Sequence, residues 1–350
     1  MKHTLFFVCK RGRLRDIPLL RDGAIDAGYR FMVTLIPFAY PLLLLLGISR
    51  IFGAKFSIIF SDKFWGDTVF AKFLGDSCVR MLWNYADEFP DRLSFKPNKR
   101  VCFFKDDEYP AVERFVFAPQ PKKDVQVKFA PRKIGFIGDV SLTSDLPNGT
   151  NWWITHFDDL IDKFGYQFYL TEEFNTLINA NLSSLNEQRQ AKVLSKNYLR
   201  FKILNLVNDN FSSNLIIIGE NWRRFGFNAQ ASLYSLDSRL EFYKSLAVNL
   251  DAGSKSGDSS LYPRSSEIMT YAGSPVQVIC EDSISVFGEK ISEFVFADEV
   301  SLMALIDDRL SEPENVRLNR IRWLNQQLHS QEMTMSCSVR RLFTGRESFY

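Results

Sequence analysis

The sequence predicts an α/β protein of two domains, each built on a parallel sheet. Short apolar runs typical of buried strands alternate with amphipathic stretches typical of helices, and this rhythm occurs twice, before residue 105 and after residue 133. Between them, 105–133 carries prolines and charges without periodicity, which is typical of an interdomain connection. With 350 residues, 46% of them hydrophobic, the chain is long enough to bury two cores.

We place the domain boundary between residues 125 and 126. The first predicted domain, 1–125, opens with an apolar strand at Thr4–Cys9 and a helix at 19–27. The second domain, 126–350, restarts the pattern with an apolar strand at 133–138. We expect the helix that ends the chain, about 314–343, to pack back on the first domain.

The remaining elements follow from the same periodicities. In the first domain we expect strands at 55–60, 93–95 and 100–104 and a helix at 68–83. In the second we expect strands at 166–170, 214–219, 246–250, 276–280 and 293–296, and helices at 152–164, 171–211, 238–244 and 301–310.

Charge and cysteine usage exclude several classes of function. The net charge is only +2, so no nucleic-acid partner is expected. The 5 cysteines have no metal-ligand spacing and only 3 histidines are present, which argues against a structural zinc site. We interpret the cysteines as buried or free thiols of a protein in the cytoplasm.

One apolar segment, 31–49, is nearly long enough to span a bilayer. Pro37, Pro41 and Gly47 interrupt it, so we favour a buried strand that leads through a proline-broken loop into a short apolar helix. A membrane span and a surface-docking element are the alternatives. If the end of the helix is exposed, it would seat the protein on a membrane.

The segment 261–280 is the most informative part of the chain. It predicts a loop, a short helix, a turn and a buried strand, with Arg264 and Glu267 at the start of the helix. Backbone donors at a helix start stabilise phosphates, and a carboxylate accepts two hydrogen bonds from a diol. Tyr262, Ser265 and Ser266 add hydroxyl groups beside them. The alternative is that Arg264 and Glu267 form an i,i+3 surface salt bridge.

Two further stretches are candidates for binding the same ligand. Before the helix, Ser254, Lys255 and Ser256 lie in a Gly/Ser-rich loop that suits an anion, although a mobile solvated loop is equally compatible with this composition. Gly138 and Asp139 follow the first strand of the second domain, where glycine lets a ligand approach the backbone closely.

From Tyr243 onward the order of residues resembles glycosyltransferases of the GT-B architecture, most closely those related to the spore-maturation protein CgeB. The resemblance covers about residues 130–345. The positions that carry it are 133–138, Tyr243, Ser245, Asn249, Leu250, Arg264, Glu267, Ala272, Gly273, His329 and 338–342.

This resemblance implies two Rossmann-like domains that face each other across a cleft, with the donor in the second domain and the acceptor in the first. It implies that Glu267 binds the ribose hydroxyls of a nucleotide sugar and that Arg264 faces phosphate. Retaining members place a second carboxylate eight positions earlier, where this chain has Ser259. Retention or inversion of the sugar is therefore undecided.

The remaining chemistry is a base for the acceptor hydroxyl and a counter-charge for the leaving phosphate. Asp62 and Asp67 follow a strand of the first domain and are the candidate bases, although either can instead cap the next helix. No Asp-x-Asp motif stands at a strand end, so we expect neither a metal nor another cofactor. Arg, Lys and the helix dipole would then neutralise the phosphate.

We therefore predict a glycosyltransferase that moves a hexose or related sugar from a nucleotide-sugar donor to a glycan or lipid-linked glycan. The expected setting is bacterial surface-polysaccharide synthesis (O-antigen, lipopolysaccharide or capsule). We expect a cytoplasmic protein with peripheral association at the inner face of the membrane. The alternative is a noncatalytic bilobal protein that binds a nucleotide or a sugar.

Overall fold

The protein, in a computed structural model, divides into two compact units. The first unit combines Met1–Gln120 with Leu328–Tyr350, and the second is Pro121–Gln327. The structure describes residues 3–9, 17–35, 39–51, 55–60, 78–82, 99–102, 113–114, 132–253, 261 and 263–344.

The first unit contains a six-stranded parallel sheet in the order β2-β1-β3-β4-β5-β6. Its strands are β1 (Thr4–Cys9), β2 (Arg30–Leu35), β3 (Phe56–Phe60), β4 (Cys78–Leu82), β5 (Lys99–Cys102) and β6 (Glu113–Arg114). Its described helices are α1 (Ile17–Asp26), α2 (Ala39–Ile51) and, at the end of the chain, α11 (Met335–Thr344).

Strand β1 is apolar along its length because it lies between β2 and β3 and is buried on both faces. Helix α11 packs on α1, where the Arg340 Nη2 atom donates a hydrogen bond to the carbonyl oxygen of Asp26 at 2.9 Å. Gly23 of α1 lies directly beneath Met335, which explains the absence of a side chain at that position. The last helix thus belongs with the first unit.

Two expectations for the first unit need correction. Helix 68–83 is wrong at Cys78–Leu82, which form β4, because pairing with β3 and β5 outweighs local helix propensity. Strand β2 is not buried: it is the edge of the sheet, and each of its residues is exposed or half-buried. The predictions at 93–95, Asp62 and Asp67 lie outside the described residues.

The apolar segment forms a strand, β2, and a short apolar helix, α2, as predicted, except that the strand is not buried. Leu46 is buried, whereas Leu44, Leu45 and Ile48 are 64%, 60% and 48% exposed. Among the described residues, no helix combines the length and apolar character that crossing a bilayer requires. Cys9, Cys280 and Cys337 are free thiols.

The second unit also contains a six-stranded parallel sheet. Its strands are β7 (Ile134–Ile137), β8 (Leu215–Ile218), β9 (Ala229–Gln230), β10 (Val248–Asp251), β11 (Pro275–Val278) and β12 (Val295–Phe296). Its α-helices in the described part are α3 (Thr150–Phe164), α4 (Glu172–Asn181), α5 (Leu185–Phe211), α6 (Leu236–Lys244), α7 (Pro263–Tyr271), α8 (Glu281–Phe287), α9 (Glu299–Ser311) and α10 (Glu314–Ser330).

The strand order of this second sheet is β9-β8-β7-β10-β11-β12. Numbered within the unit, this is 3-2-1-4-5-6, the Rossmann order. The chain moves outward in one direction from β7 to β9 and then crosses back to β10, so β7 and β10 are neighbours at the point where the order reverses. The predicted α/β class with two parallel-sheet domains is confirmed.

Two expectations for the second unit are wrong. Gly165–Leu170 form a 3-10 helix and not a strand, since Tyr166, Phe168 and Tyr169 pack into the hydrophobic core next to α3. The helix expected over 314–343 is interrupted between α10 and α11, where Glu332 has a φ of 54°.

Candidate functional site

The carboxyl ends of β7 and β10 define the candidate site in the second unit. In open α/β sheets, ligands bind outside the carboxyl ends of the strands at the point where strand order reverses. Here that point lies between Gly138, which follows β7, and Asp251, which ends β10. Helix α7 begins after the loop that leaves β10, so its amino end belongs to the same edge of the sheet.

At the end of β7, Gly138 and Asp139 contact the neighbouring strand end. The carbonyl oxygen of Gly138 accepts a hydrogen bond from Trp222 Nε1 at 2.6 Å, and Asp139 Oδ1 accepts one from the backbone N–H of Glu220 at 2.8 Å. A Cβ on Gly219 would overlap the carbonyl oxygen of Gly138. Only glycine therefore lets the two strand ends approach so closely.

At the end of β10, the Asp251 carboxylate organises the start of α7. It is buried and accepts hydrogen bonds from the Ser265 hydroxyl and, at 3.2 Å, from the N–H of Gly253. The nearest guanidinium nitrogen of Arg264 lies 3.7 Å from Asp251 Oδ1. The sequence analysis did not identify Asp251 as a site residue.

Arg264 joins the two strand ends. Its guanidinium lies over the ring of Phe136, a residue of β7, with 5.6 Å between the guanidinium carbon and the ring centroid. A Cβ on Gly138 would be 3.3 Å from Arg264 Nη2. Arg264, Gly138 and Asp251 are thus brought together, and a cation stands at the first turn of α7 beside the two strand ends.

Glu267 is buried, with 3% of its side chain exposed, and it is held by Arg239 of α6. The two residues form a bidentate pair, with Nε–Oε2 and Nη2–Oε1 distances of 3.1 Å and 2.7 Å. The alternative surface pair between Arg264 and Glu267 is not formed, because Arg264 faces Asp251 instead.

The sequence predicts that Glu267 needs a cationic partner if it is buried, but it does not identify that partner as Arg239. A buried carboxylate needs a cation. Arg239 lies 28 positions earlier in the chain and on a different helix, so no local spacing links the two residues.

Helix α5 contributes a second buried cation that sequence reasoning missed. Arg200 donates hydrogen bonds to the carbonyl oxygens of Asp139, at 3.3 Å, and of Gly253. It thereby connects the backbone beyond β7 with that beyond β10. One helical turn earlier, Lys196 Nζ lies 3.2 Å from the ring centroid of Tyr169. We interpreted 171–211 only as a helical region of mixed charge, but these residues are buried.

Tyr243 lies beneath this cluster. Burial raises the pKa of its hydroxyl well above 10, and the nearby Glu267 carboxylate raises it further. Within the part of the chain that the structure describes, the hydroxyl makes no hydrogen bond. Asp282 fixes the entry to α7, since its carboxylate accepts a 2.6 Å hydrogen bond from the N–H of Leu261.

Ser265 and Ser266 are buried, and the Ser265 hydroxyl is already committed to Asp251. The other predicted donor-binding residues, Ser254, Lys255, Ser256 and Tyr262, lie outside the described residues. Across the described ranges, no group of three or more His, Cys, Asp or Glu side chains is arranged to hold a metal ion.

Comparisons with known proteins give weak likenesses only. No protein-family model matches the chain, and no curated protein matches it. T4 phage BGT in complex with its UDP-glucose substrate superposes with a TM-score of 0.48 at 7% identity over 98% of both chains. The same phage protein with UDP and Mn²⁺ gives a TM-score of 0.46 at 7% identity over 97% of this chain and 98% of that one.

A mutant of S. aureus TarM, in complex with fondaparinux, alpha-GlcNAc-glycerol and UDP, gives a TM-score of 0.38 at 10% identity. It covers 83% of this chain and 55% of the TarM chain. All three TM-scores are below 0.5. These likenesses therefore do not assign a function to the chain.

Proposed function

We propose that the chain is a glycosyltransferase whose second unit binds a nucleotide-sugar donor at the switch point, which is the place between β7 and β10 where the strand order reverses. The observation that carries the proposal is the arrangement at the first turn of α7. A cation, Arg264, stands beside two glycine-lined strand ends, and a buried carboxylate, Glu267, lies one helical turn further on. This arrangement complements a nucleotide sugar: the cation matches its anionic phosphates, and the carboxylate matches its ribose diol, which comes next along the molecule.

The phosphates of the donor would contact Arg264 and the backbone N–H groups at the start of α7. The partial positive charge of the helix end adds to that of the guanidinium. Because the Ser265 hydroxyl donates to Asp251, we assign Ser265 to holding the helix start and not to phosphate. Gly138 supplies the space, since a side chain there would crowd Arg264.

Glu267 would accept the ribose hydroxyls while Arg239 holds it. A carboxylate has about four lone-pair sites, and the bidentate pair with Arg239 uses two of them. Arg239 thus fixes the orientation of the buried Glu267 carboxylate while leaving acceptor capacity for a diol.

In the reaction, positive charge at the switch point would stabilise the departing nucleoside phosphate. Arg264 supplies it directly, and Lys255 in the adjoining loop is a second candidate. We propose that no metal ion is needed, since cations and a helix end already face the phosphates. Asp62 and Asp67 remain our candidates for the base that deprotonates the acceptor.

We further propose that the acceptor is a lipid-linked glycan of bacterial surface-polysaccharide synthesis and that the protein docks at the inner membrane face. The exposed Leu44, Leu45 and Ile48 of α2 support this proposal, because adjacent apolar side chains on a short helix are suited to an interfacial position.

The donor site is tested by a thermal-shift panel of UDP, GDP, dTDP and CMP and their sugars. At least one donor should raise the Tm of the wild type by several degrees and that of Glu267→Ala by much less. Glu173→Ala, which removes an exposed carboxylate elsewhere in the unit, is the matched control and should respond like the wild type. If no nucleotide or nucleotide sugar shifts the wild type, the proposal is wrong.

Turnover distinguishes an enzyme from a noncatalytic binding protein. The donor found in the panel should be hydrolysed slowly by the purified protein and transferred faster when a glycolipid extract is added. Binding without hydrolysis or transfer would support the noncatalytic alternative.

Docking is tested by sedimentation with vesicles of anionic phospholipid. The double variant Leu44→Gln/Leu45→Gln should lose vesicle binding. Leu185→Gln, an equally apolar exposed position in the second unit, should retain it. Equal binding by all three proteins would contradict a role for α2.

A further inference from the structure

Tyr234 is an exposed aromatic residue that has no role in the proposed donor site described above. It lies in the segment that follows β9, so it belongs to the same carboxyl edge of the sheet as Gly138 and Asp251. Its neighbour Ser235 is the N-cap of α6 and accepts a hydrogen bond from the N–H of Ser238. The backbone of Tyr234 is therefore fixed between a strand and a capped helix.

The side chain of Tyr234 is 63% exposed, although it is a large aromatic. Phe225, the other exposed aromatic in the described part of this unit, is 36% exposed and packs against Phe201 with 5.5 Å between ring centroids. A single exposed aromatic carries little information by itself. Tyr234 differs because its ring is exposed while hydrogen bonds hold both its hydroxyl and its backbone carbonyl.

Each end of Tyr234 has a hydrogen-bond partner at the site edge. Its hydroxyl donates to Glu220 Oε1 at 3.2 Å, and Glu220 is the residue whose N–H is bound by Asp139. Its carbonyl oxygen accepts a hydrogen bond from Arg239 Nη1 at 3.3 Å. The ring is thus presented to solvent in a preorganised orientation.

Arg239 links Tyr234 to Glu267 through one guanidinium. The Nη1 atom binds the Tyr234 carbonyl oxygen, while Nε and Nη2 bind the two oxygens of Glu267. Because a guanidinium is planar and rigid, the two residues are held at a fixed separation. The backbone of Tyr234 is thus separated from the Glu267 carboxylate by one guanidinium, so the base of a nucleotide whose ribose is bound at Glu267 would be within reach of this segment.

We infer that Tyr234 is the stacking platform for the nucleobase of the donor, and that Arg239 is the positioning residue that keeps this ring in register with Glu267. The inference rests on the proposed function, whose ribose contact it extends. Stacking on an aromatic ring tolerates any base, because every base has a π-face. The ring therefore strengthens binding of nucleotides in general and leaves the choice of base to other groups.

Isothermal titration tests the platform with UDP, GDP and inorganic pyrophosphate as probes. Tyr234→Ala should weaken the binding of UDP and GDP by about ten- to a hundredfold, which is the range of base–aromatic stacking. Tyr234→Phe keeps the ring and should bind both within about threefold of the wild type, since only an exposed hydrogen bond is lost. Pyrophosphate, which has no base, should bind all three proteins equally.

Ile284→Ala is the matched control, because Ile284 is exposed to a similar degree in the same unit. It should leave every affinity unchanged, and all variants should keep the wild-type Tm within about 2 °C. Unchanged UDP and GDP affinity in Tyr234→Ala would overturn the platform while leaving the donor site intact. A parallel loss of pyrophosphate binding would also overturn it, by showing general damage to the site. If the wild type binds neither UDP nor GDP, the platform fails, and the proposed function fails with it only when dTDP, CMP and the nucleotide sugars do not bind either.

Discussion

The two units share a six-stranded parallel sheet but differ in where they bury charge. In the second unit the order reverses between β7 and β10, and Asp251, Glu267 and Arg200 are buried near that point. In the first unit the order reverses beside β1, which is apolar from Leu5 to Cys9, and Ser57 is the one buried polar side chain among the residues of β1, β2 and β3 whose burial is described. Burial of charge requires partners, and natural sheets concentrate it where a ligand will bind.

The first unit instead carries its unusual feature on the surface, at the apolar residues of α2. The second unit thus has buried charged groups at the carboxyl edge of its sheet, and the first unit has exposed apolar side chains on helix α2. This difference is the basis of our proposal that the second unit binds the donor and that the first contacts the acceptor or a membrane.

The largest expected difference between the units is the free energy of unfolding lost when an arginine is removed. Arg239→Met leaves the nearly buried Glu267 without its partner and should destabilise the protein by about 3 kcal/mol. Arg21→Met in the first unit breaks a pair with Asp22 that is about half exposed and should lose less than about 1 kcal/mol. Calorimetric unfolding of both variants measures the contrast. Similar losses of unfolding free energy in both variants would show that the buried Arg239–Glu267 pair stabilises the protein no more than an exposed pair does.

A smaller contrast is expected for two glycines. Gly219→Ala drives a Cβ into the backbone of Gly138 at a φ of +151° and should destabilise the protein by about 2–3 kcal/mol. Gly23→Ala in α1 brings a Cβ against the Cγ and Cβ atoms of Met335, which α11 must shift to accommodate, but the site has no strained φ and alanine favours the helix by about 1 kcal/mol. Its net effect should be markedly smaller. Thermal unfolding of both variants measures which one loses more stability. A smaller loss in Gly219→Ala than in Gly23→Ala would contradict the close approach of Gly219 to the backbone of Gly138.

The smallest effect concerns Tyr243. Tyr243→Phe removes a buried hydroxyl and should stabilise the protein by about 1 kcal/mol at neutral pH. Since the pKa of this hydroxyl is raised in the folded state, the unfolded chain ionises first as the pH rises above 10, and the wild type loses stability there. The variant should lack this loss. Tyr234→Phe, at an exposed position, is the control for the alkaline limb of a pH series of Tm values.

The sequence predicted the α/β class and the helix that presents Arg264 and Glu267, because both follow from local periodicity and from residues a few positions apart. It did not predict Arg239, Arg200 or Asp251 as site residues. Their roles depend on contacts between elements that lie 28 to 61 positions apart or at a strand end whose neighbours are set by topology.

The errors in secondary structure have the same cause. Cys78–Leu82 and Gly165–Leu170 are short segments in which local preference is weak, so pairing between strands or packing in the core decides the outcome. Strand β9, only two residues long, carries no periodic signal at all, yet it places Tyr234 at the site edge.

Hydrogen–deuterium exchange with and without a stabilising nucleotide sugar tests most directly whether the second unit holds the donor. The account predicts slower exchange in peptides that contain Gly138–Val140 and Leu261–Tyr271, and unchanged exchange in strands β1 and β3 of the first unit. Protection confined to β1 and β3, with none around Arg264 and Glu267, would contradict it.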